Sequence, residues 1–209
     1  MTATTLKKVM KGARLFTNLF SPFYALIWAV AWLLFFSIIR SYFPLKYRLV
    51  LLLIIVVFTI IVPRLTIFVF RKSGGLSRWQ FDARTNRHIQ YAISLISYVA
   101  CYLLLKRMYV FDLVAYVVMV AIIAQIICFI INIWWKISVH MVGVGGWIGF
   151  VGVFSFRFDF DPVLPTCILL ILAGLLGSCQ MLFRQHNLVQ ILAGFFVGLL
   201  CALLYYIII

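Results

Sequence analysis

The sequence predicts an all-α fold: a polytopic integral membrane bundle of about seven transmembrane helices, with six as the alternative. Two observations predict it. Of the 209 residues, 67% are hydrophobic and only 11% are charged, whereas soluble domains average about 45–50% apolar and about 25% charged residues. The apolar residues also form long runs, and about 20 helical residues are enough to cross about 30 Å of hydrocarbon. The chain is therefore expected to be an integral membrane protein.

The first element is a basic segment that precedes every apolar run. Its cations are interleaved with apolar side chains and are Lys7, Lys8, Lys11 and Arg14. This pattern is typical of an amphipathic helix that lies on a membrane surface. The segment lacks the short apolar core and the small-residue cleavage site of a signal peptide. We expect an interfacial segment at residues 1–20, followed by a single transmembrane domain at 21–209.

Seven apolar runs follow, and each is interpreted as one span. They lie near 22–43, 46–70, 89–106, 109–135, 138–156, 163–183 and 187–209. Pro63 and Arg64 interrupt the second run, where we expect a kink or an early end. The basic segment at 71–88 contains the turn signal Ser73-Gly74-Gly75, so it is expected to be a solvated loop.

Glycines recur at helical spacing in the later runs. Small residues at such spacing let transmembrane helices approach each other closely. The glycines expected to do so are Gly145, Gly149, Gly152, Gly194 and Gly198.

The charge balance limits the chemistry that the chain can perform. It has 18 Lys and Arg residues against four acids, all Asp, and no Glu. Membrane proteins carry basic residues beside their spans, so anionic lipids rather than nucleic acid are the expected electrostatic partners. No carboxylate cluster is present to hold a Mg²⁺ pair, and the five cysteines fall in apolar runs without a Cys-x-x-Cys pair. We expect no metal site and no cofactor.

The distribution of the cations predicts an orientation. With seven spans, eleven Lys and Arg residues fall on the side of the N-terminus and six on the other side. Because basic residues are enriched in cytoplasmic loops, the N-terminus is expected to be cytoplasmic.

Polar residues collect where two of the runs begin. Lys136, Ser138 and His140 alternate at the start of the fifth run, and Arg184 precedes His186 at the start of the seventh. Ionisable residues at membrane depth are costly and usually functional. Imidazole can attack phosphorus or protonate a leaving oxygen, and cations stabilise a phosphoryl group during its transfer. These residue types therefore indicate a pocket for a phosphate group.

The same residues resemble the motifs of the type 2 phosphatidic acid phosphatase superfamily, which includes lipid phosphate phosphatases and vanadium haloperoxidases. "KISVH" at 136–140 resembles the family's P-S-G-H element. "HNLVQILAGFFVG" at 186–198 resembles its H-x3-D-x-L-A-G-x3-G element, and two spans separate the two histidines as in the family. The resemblance covers about 106–209, which we interpret as a phosphatase-like core of a divergent member.

Four positions depart from the family's pattern. Ile137 and Val139 replace the Pro and the Gly of P-S-G-H, and Gln190 stands where the family has Asp. Gln180 occupies the position of the Arg that lies six residues before the second histidine, and Arg184 is the nearest substitute. No K-x6-R-P element is present.

The resemblance implies a mechanism and a role for each residue. His186 would attack phosphorus and become phosphohistidine, His140 would protonate the departing alkoxide, and Gln190 would orient His186. The phosphoryl oxygens would be held by Lys136, Ser138, Arg184 and the backbone N–H of Gly143.

These expectations lead to one main hypothesis and two alternatives. The chain is expected to be a metal-independent membrane lipid phosphate or isoprenyl (pyro)phosphate phosphohydrolase of a bacterial inner membrane. A lipid headgroup phosphotransferase would use the same site with an alcohol in place of water. A catalytically degenerate protein would bind lipid or serve as a membrane subunit. The sequence specifies neither the lipid nor an oligomeric state.

Overall fold

The part of the chain that the structure describes consists of helices joined by short turns. A computed structural model describes residues 3–20, 22–72 and 84–208, and the regular elements in those ranges are all helices. The α-helices are α1 (Ala3–Leu19), α2 (Pro22–Phe35), α3 (Leu45–Val56), α4 (Val62–Lys72), α5 (Arg84–Arg107), α6 (Asp112–Trp134), α7 (Val139–Phe158), α8 (Val163–Leu182) and α9 (Leu188–Ile208). The all-α expectation is confirmed for these ranges. The basic loop expected at 71–88 falls largely on 73–83, outside the described residues.

Four helices in the described ranges are long and apolar enough to cross a membrane. They are Leu45–Val69, which runs from α3 into α4, and Asp112–Trp134, Val139–Phe158 and Val163–Leu182. Shorter apolar helices lie at Tyr24–Phe35 and Leu188–Leu204. Six of the seven apolar runs found in the sequence coincide closely with a helix, and the composition of these helices is that of a helical membrane protein. The run expected to be one span at 22–43 is wrong in its extent, because α2 ends at Phe35 and only a short 3-10 helix, Ile38–Ser41, follows it. The number of seven crossings stays a prediction.

The helix that contains Pro63 continues through the proline. A π-helical turn at Val57–Ile61 joins α3 to α4 without a break. Proline lacks an N–H, and its ring crowds the carbonyl four residues earlier, here that of Thr59. The wider π turn accommodates this crowding. The early end expected at Pro63 is therefore not observed.

The chain divides into two compact units, one formed by Met1–Ala25 with Ile131–Ile209 and the other by Leu26–Ile130. Within the second unit, polar side chains join neighbouring helices. The Ser97 hydroxyl on α5 donates to the carbonyl of Phe58 in the π turn, and the Gln125 amide on α6 donates to the Ser94 hydroxyl on α5. Such groups must find partners inside the protein where water is absent. The boundary expected between 1–20 and 21–209 stays a prediction.

Within the first unit, α7 and α9 meet backbone to backbone. A Cβ on Gly145 would overlap the Phe195 carbonyl, and a Cβ on Gly198 would overlap the Val142 carbonyl. Only glycine leaves room for two helices at this separation.

Two further glycines extend the contact towards both ends. A Cβ on Gly149 would lie 2.8 Å from the Ala202 Cβ, and a Cβ on Gly194 would lie 2.5 Å from the Ser138 carbonyl oxygen. The close approach expected at these glycines is confirmed. The expectation for Gly152 is wrong, because no heavy atom of another described helix lies within 4 Å of the position of its Cβ.

Candidate functional site

Ser138 is the N-cap of α7 and ties this helix to α8. Its backbone is extended (φ −85°, ψ 101°), and its side chain accepts the Met141 N–H at 3.5 Å. Serine is favoured at this position because its oxygen satisfies one of the amides that a helix start leaves without a partner. The same hydroxyl donates to Oε1 of Gln180 on α8, with 2.6 Å between the oxygens. Both side chains are fully buried.

Gln180 is the residue of this site that the sequence indicated only as a departure from a motif. Within the described ranges, its buried Nε2 has no hydrogen-bond partner. Turning the amide over would leave Oε1 as the atom without one. A buried polar group without a partner costs about 1–3 kcal/mol, so native structures rarely keep one without a reason such as an unseen water or ligand. In the sequence, Gln180 could have been noticed because it is a polar amide within the apolar run that forms α8.

A tight turn between α8 and α9 brings His186 to the start of α9. The Arg184 N–H donates to the Met181 carbonyl at 2.9 Å, and the Gln185 N–H donates to the Gln180 carbonyl at 3.0 Å. Arg184 has φ of 50°, in the left-handed region that non-glycine residues seldom adopt. Its side chain is exposed and makes no hydrogen bond to any residue that the structure describes.

The contact between His186 and Gln190 determines which imidazole nitrogen carries the proton. Gln190 Oε1 accepts the Asn187 backbone N–H at 3.2 Å and lies 3.2 Å from His186 Nδ1. Asn187 and Gln190 thus form the reciprocal half of a capping box at the start of α9. A backbone N–H can only donate, so the atom that it meets must be the amide oxygen. Because that oxygen can only accept, Nδ1 of His186 must donate, and Nε2 holds the lone pair in the neutral ring.

His140, the second residue of α7, lies near His186. The two imidazoles are close enough to interact electrostatically, and the His140 ring lies close to the Thr17 backbone near the end of α1. The fold thus brings together two histidines that lie 46 residues apart in the sequence. Contact with Thr17 was not expected, because nothing in residues 1–20 marks a site.

Lys136 and the backbone of Ser138 join the chain before α7 to the turn before α9. Lys136 Nζ donates to the Gln185 carbonyl at 2.8 Å, and the Ser138 N–H donates to the Gln190 carbonyl at 3.4 Å. An ammonium group has three N–H donors, so Lys136 can bind an anion while it keeps this contact.

Gly143 lies in the second turn of α7, beyond the amides that a helix start leaves without partners. A Cβ at this position would lie 2.7 Å from the Ala25 Cβ at the start of α2. The structure therefore gives Gly143 a packing role, and its role as a phosphate ligand stays a prediction.

Five of the seven site residues predicted from the sequence lie together at one end of the first unit: Lys136, Ser138, His140, His186 and Gln190. Arg184 shares the turn but is exposed, and Gly143 packs against α2. In the ranges described, no three His, Cys or acidic side chains are grouped so as to hold a metal ion.

The arrangement places an imidazole nitrogen with a lone pair near a second imidazole, with amide and ammonium donors and a serine hydroxyl beside them. These groups suit a ligand with several acceptor oxygens. Comparison of the chain with protein-family models, with curated proteins and with solved structures gives no match.

Proposed function

We propose that the chain is a phosphohydrolase that removes phosphate from a membrane lipid phosphate or an isoprenyl (pyro)phosphate, as a divergent member of the type 2 phosphatidic acid phosphatase superfamily. The observation that carries the proposal is the pairing of His186 Nδ1 with Gln190 Oε1 beside a second imidazole, that of His140. A nucleophilic imidazole needs a fixed tautomer with its lone pair on the reacting nitrogen, and a nearby acid must protonate the leaving group.

In the first step, Nε2 of His186 attacks phosphorus, forming an N–P bond as the P–O bond to the lipid breaks. The electron pair of that bond goes to the leaving oxygen, which takes a proton from His140. The product is a phosphohistidine with a cationic ring, and its Nδ1–H stays bonded to the side-chain oxygen Oε1 of Gln190. A neutral amide orients this ring but stabilises its positive charge less than a carboxylate would.

In the second step, a water molecule gives a proton to His140 and attacks phosphorus. The N–P bond breaks, its electron pair returns to His186 Nε2, and inorganic phosphate leaves. An alcohol in place of water would make the same site a lipid headgroup phosphotransferase.

Donors around the histidines would hold the phosphoryl oxygens. The buried Nε2 of Gln180, which lacks a partner among the described residues, is one such donor. The Ser138 hydroxyl has one proton, which it donates to Gln180 Oε1, so it would orient this amide and would bind a phosphoryl oxygen itself only by giving up that bond. Lys136 would contribute positive charge while bonded to Gln185, and the exposed Arg184 would act at the mouth of the site. Charge-assisted bonds of this kind are about twice as strong as neutral ones.

The proposal includes the arrangement of the chain in a bacterial inner membrane. Seven crossings with a cytoplasmic N-terminus are supported by the seven apolar runs and by the excess of cations on the N-terminal side. His140 and His186 each lie at the start of a helix, separated by two spans, so both fall on one side of the membrane.

Release of inorganic phosphate by the purified chain in detergent tests the function. Phosphatidic acid and an isoprenyl pyrophosphate are the two substrates, and His186→Ala is expected to abolish release from both together with any acid-labile phosphoryl-enzyme. His140→Ala should slow release by about 10²–10⁴-fold from phosphatidic acid. It should slow release less from the pyrophosphate, whose leaving group needs less protonation.

A pair of serines provides the matched control. Ser138→Ala removes the buried hydroxyl bonded to Gln180, whereas Ser178→Ala removes an exposed hydroxyl on α8 that bonds the Gly174 carbonyl at 2.8 Å. Only the first should slow phosphate release. Equal release by wild type and His186→Ala on both substrates would reject catalysis and leave the lipid-binding alternative. Transfer of phosphate to a lipid alcohol without release would favour the phosphotransferase.

A further inference from the structure

The end of α1 lies against the candidate site. Thr17 is 6% exposed, and its backbone lies close to the His140 ring. Three residues earlier, the Arg14 guanidinium lies 5.9 Å from the centre of the Phe183 ring, at the C-terminal end of α8. These contacts place one side of α1 beside both His140 and the turn that carries His186.

The same contacts fix the depth of α1 relative to the membrane. His140 is the second residue of the candidate span Val139–Phe158, and Phe183 directly follows the candidate span Val163–Leu182. A helix that touches the ends of two spans on the same side lies where those spans leave the hydrocarbon. The position of α1 is therefore the membrane interface.

The opposite side of α1 is basic and apolar. Lys11, Leu15 and Leu19 follow each other at intervals of four residues, so they form one stripe along the helix. Lys11 is exposed, and Leu15 and Leu19 are 71% and 53% exposed. No acidic residue occurs in the chain before Asp82. A stripe that combines exposed leucines with uncompensated positive charge is complementary to the interface of a membrane rich in anionic lipids.

We propose that α1 docks on anionic lipid through the Lys11–Leu15–Leu19 stripe and that this docking holds Thr17 against His140, so that anionic lipid increases the activity of the site. The effect on activity rests on the proposed function, whereas the docking does not. The stripe and the Thr17 contact lie on opposite sides of the helix, so both contacts can form at once. We call α1 seated when Thr17 lies against His140. If anionic lipid binds α1 only in this position, it raises the fraction of molecules in which α1 is seated.

Thiol labelling of Thr17→Cys tests the docking without any measurement of turnover. The full chain, with the exposed Cys167 replaced by Ser, is reconstituted into vesicles of phosphatidylcholine alone or with added phosphatidylglycerol. Because Thr17 is buried when α1 is seated, phosphatidylglycerol should slow labelling by a water-soluble maleimide. High salt should remove the effect, since the Debye length falls to about 3 Å at 1 M. Neutralising one cation of α1 should weaken the binding of α1 to phosphatidylglycerol vesicles by about fivefold, and the slowing of labelling should fall accordingly.

Three variants separate the stripe from the other contacts of the chain. Lys11→Gln/Leu15→Gln should abolish the response to phosphatidylglycerol. Lys46→Gln, which removes an exposed cation from α3, should leave the response intact. Phe183→Leu should speed labelling in both kinds of vesicle, because it removes the ring beneath Arg14. The docking would be overturned if phosphatidylglycerol did not change the labelling rate. It would also be overturned if phosphatidylglycerol slowed labelling equally in the Lys11→Gln/Leu15→Gln variant.

Phosphate release from the same vesicles separates this inference from the proposed function. Release that rises with phosphatidylglycerol in wild type, but not in the Lys11→Gln/Leu15→Gln variant, is the expected result. Lipid-dependent protection of the thiol in the Thr17→Cys variant, without any phosphate release by the wild type, would support the docking and reject the phosphohydrolase. Release that does not depend on phosphatidylglycerol would overturn the coupling and keep the phosphohydrolase.

Discussion

Gly194→Ala is expected to damage both the stability of the protein and the candidate site. The new Cβ would lie 2.5 Å from the Ser138 carbonyl oxygen, whereas ordinary contacts begin near 3.4 Å, so α7 and α9 must separate here by about 0.9 Å. The Ser138 N–H is already 3.4 Å from the Gln190 carbonyl oxygen. A further separation of this size takes the pair beyond hydrogen-bonding distance. The substitution therefore moves His186 and Gln190 away from the start of α7.

The expected magnitudes follow from this displacement. Overpacking costs about 1–3 kcal/mol, which exceeds the gain of up to about 1 kcal/mol from replacing glycine by alanine in a helix. A misplacement of about 1 Å can slow catalysis by about 10²-fold. Thermal unfolding in detergent, followed by tryptophan fluorescence, and phosphate release measure the two effects.

Glycines on neighbouring helices supply the control. In the part of the chain that the structure describes, Gly152 on α7 and Gly174 on α8 have no heavy atom of a neighbouring helix within 4 Å of the position of a Cβ. Alanine at either position should leave phosphate release unchanged and should preserve or slightly raise the Tm. The close packing of α7 on α9 would be refuted if Gly194→Ala matched Gly152→Ala in both measurements.

The remaining predictions concern the chemistry and the orientation of the site. Vanadate, which mimics pentavalent phosphorus, should inhibit phosphate release and EDTA should not; activity lost with EDTA and restored by Mg²⁺ would contradict the family assignment. Gln190→Asp should preserve or raise turnover, because a carboxylate can accept N–H groups at this position and stabilise cationic His186. An unpaired Asp in a span costs about 2.5–3.5 kcal/mol, so the Tm is measured as well, and a fall in release at an unchanged Tm would argue against this role. Gln180→Met should raise KM by about tenfold or more, because it removes a donor to a charged oxygen at similar volume; an unchanged KM would exclude contact between Nε2 and the phosphate. In intact cells, Arg157→Cys should react with an impermeant thiol reagent and Gln185→Cys should not, in a background where exposed Cys167 is replaced by Ser; the opposite pattern would place the N-terminus outside the cytoplasm.

The sequence predicted the helices well because bilayer thickness sets their length. The apolar run at 163–183 corresponds to the helix Val163–Leu182, and the run at 138–156 corresponds to Val139–Phe158. The effect of Pro63 on its helix was harder to predict. The π turn that accommodates this proline depends on the geometry of several residues rather than on any one of them.

Five residues of the site could be predicted from the sequence, whereas the contributions of Gln180 and Thr17 could not. His140 and His186 stood out because ionisable groups are rare in apolar runs, and Ser138 because it precedes a helix. Gln180 was harder to interpret, since only the fold shows that its amide meets the Ser138 hydroxyl 42 residues earlier in the chain. Thr17 could not have been found, because it contributes its backbone, which every residue possesses.

The glycine contact between α7 and α9 also bears on how the chain is made. Synthesis runs from the N-terminus at about 5–20 residues per second, so α9 emerges roughly 3–10 seconds after the glycines of α7 that it covers. Until then the Ser138 N–H lacks the Gln190 carbonyl, and the surface of α7 around Gly145 lacks its partner. We therefore expect nascent chains to be vulnerable to membrane proteases at α7 during this interval. A change that delays insertion of α9 would lower the yield of protein while leaving the finished molecules as stable as before.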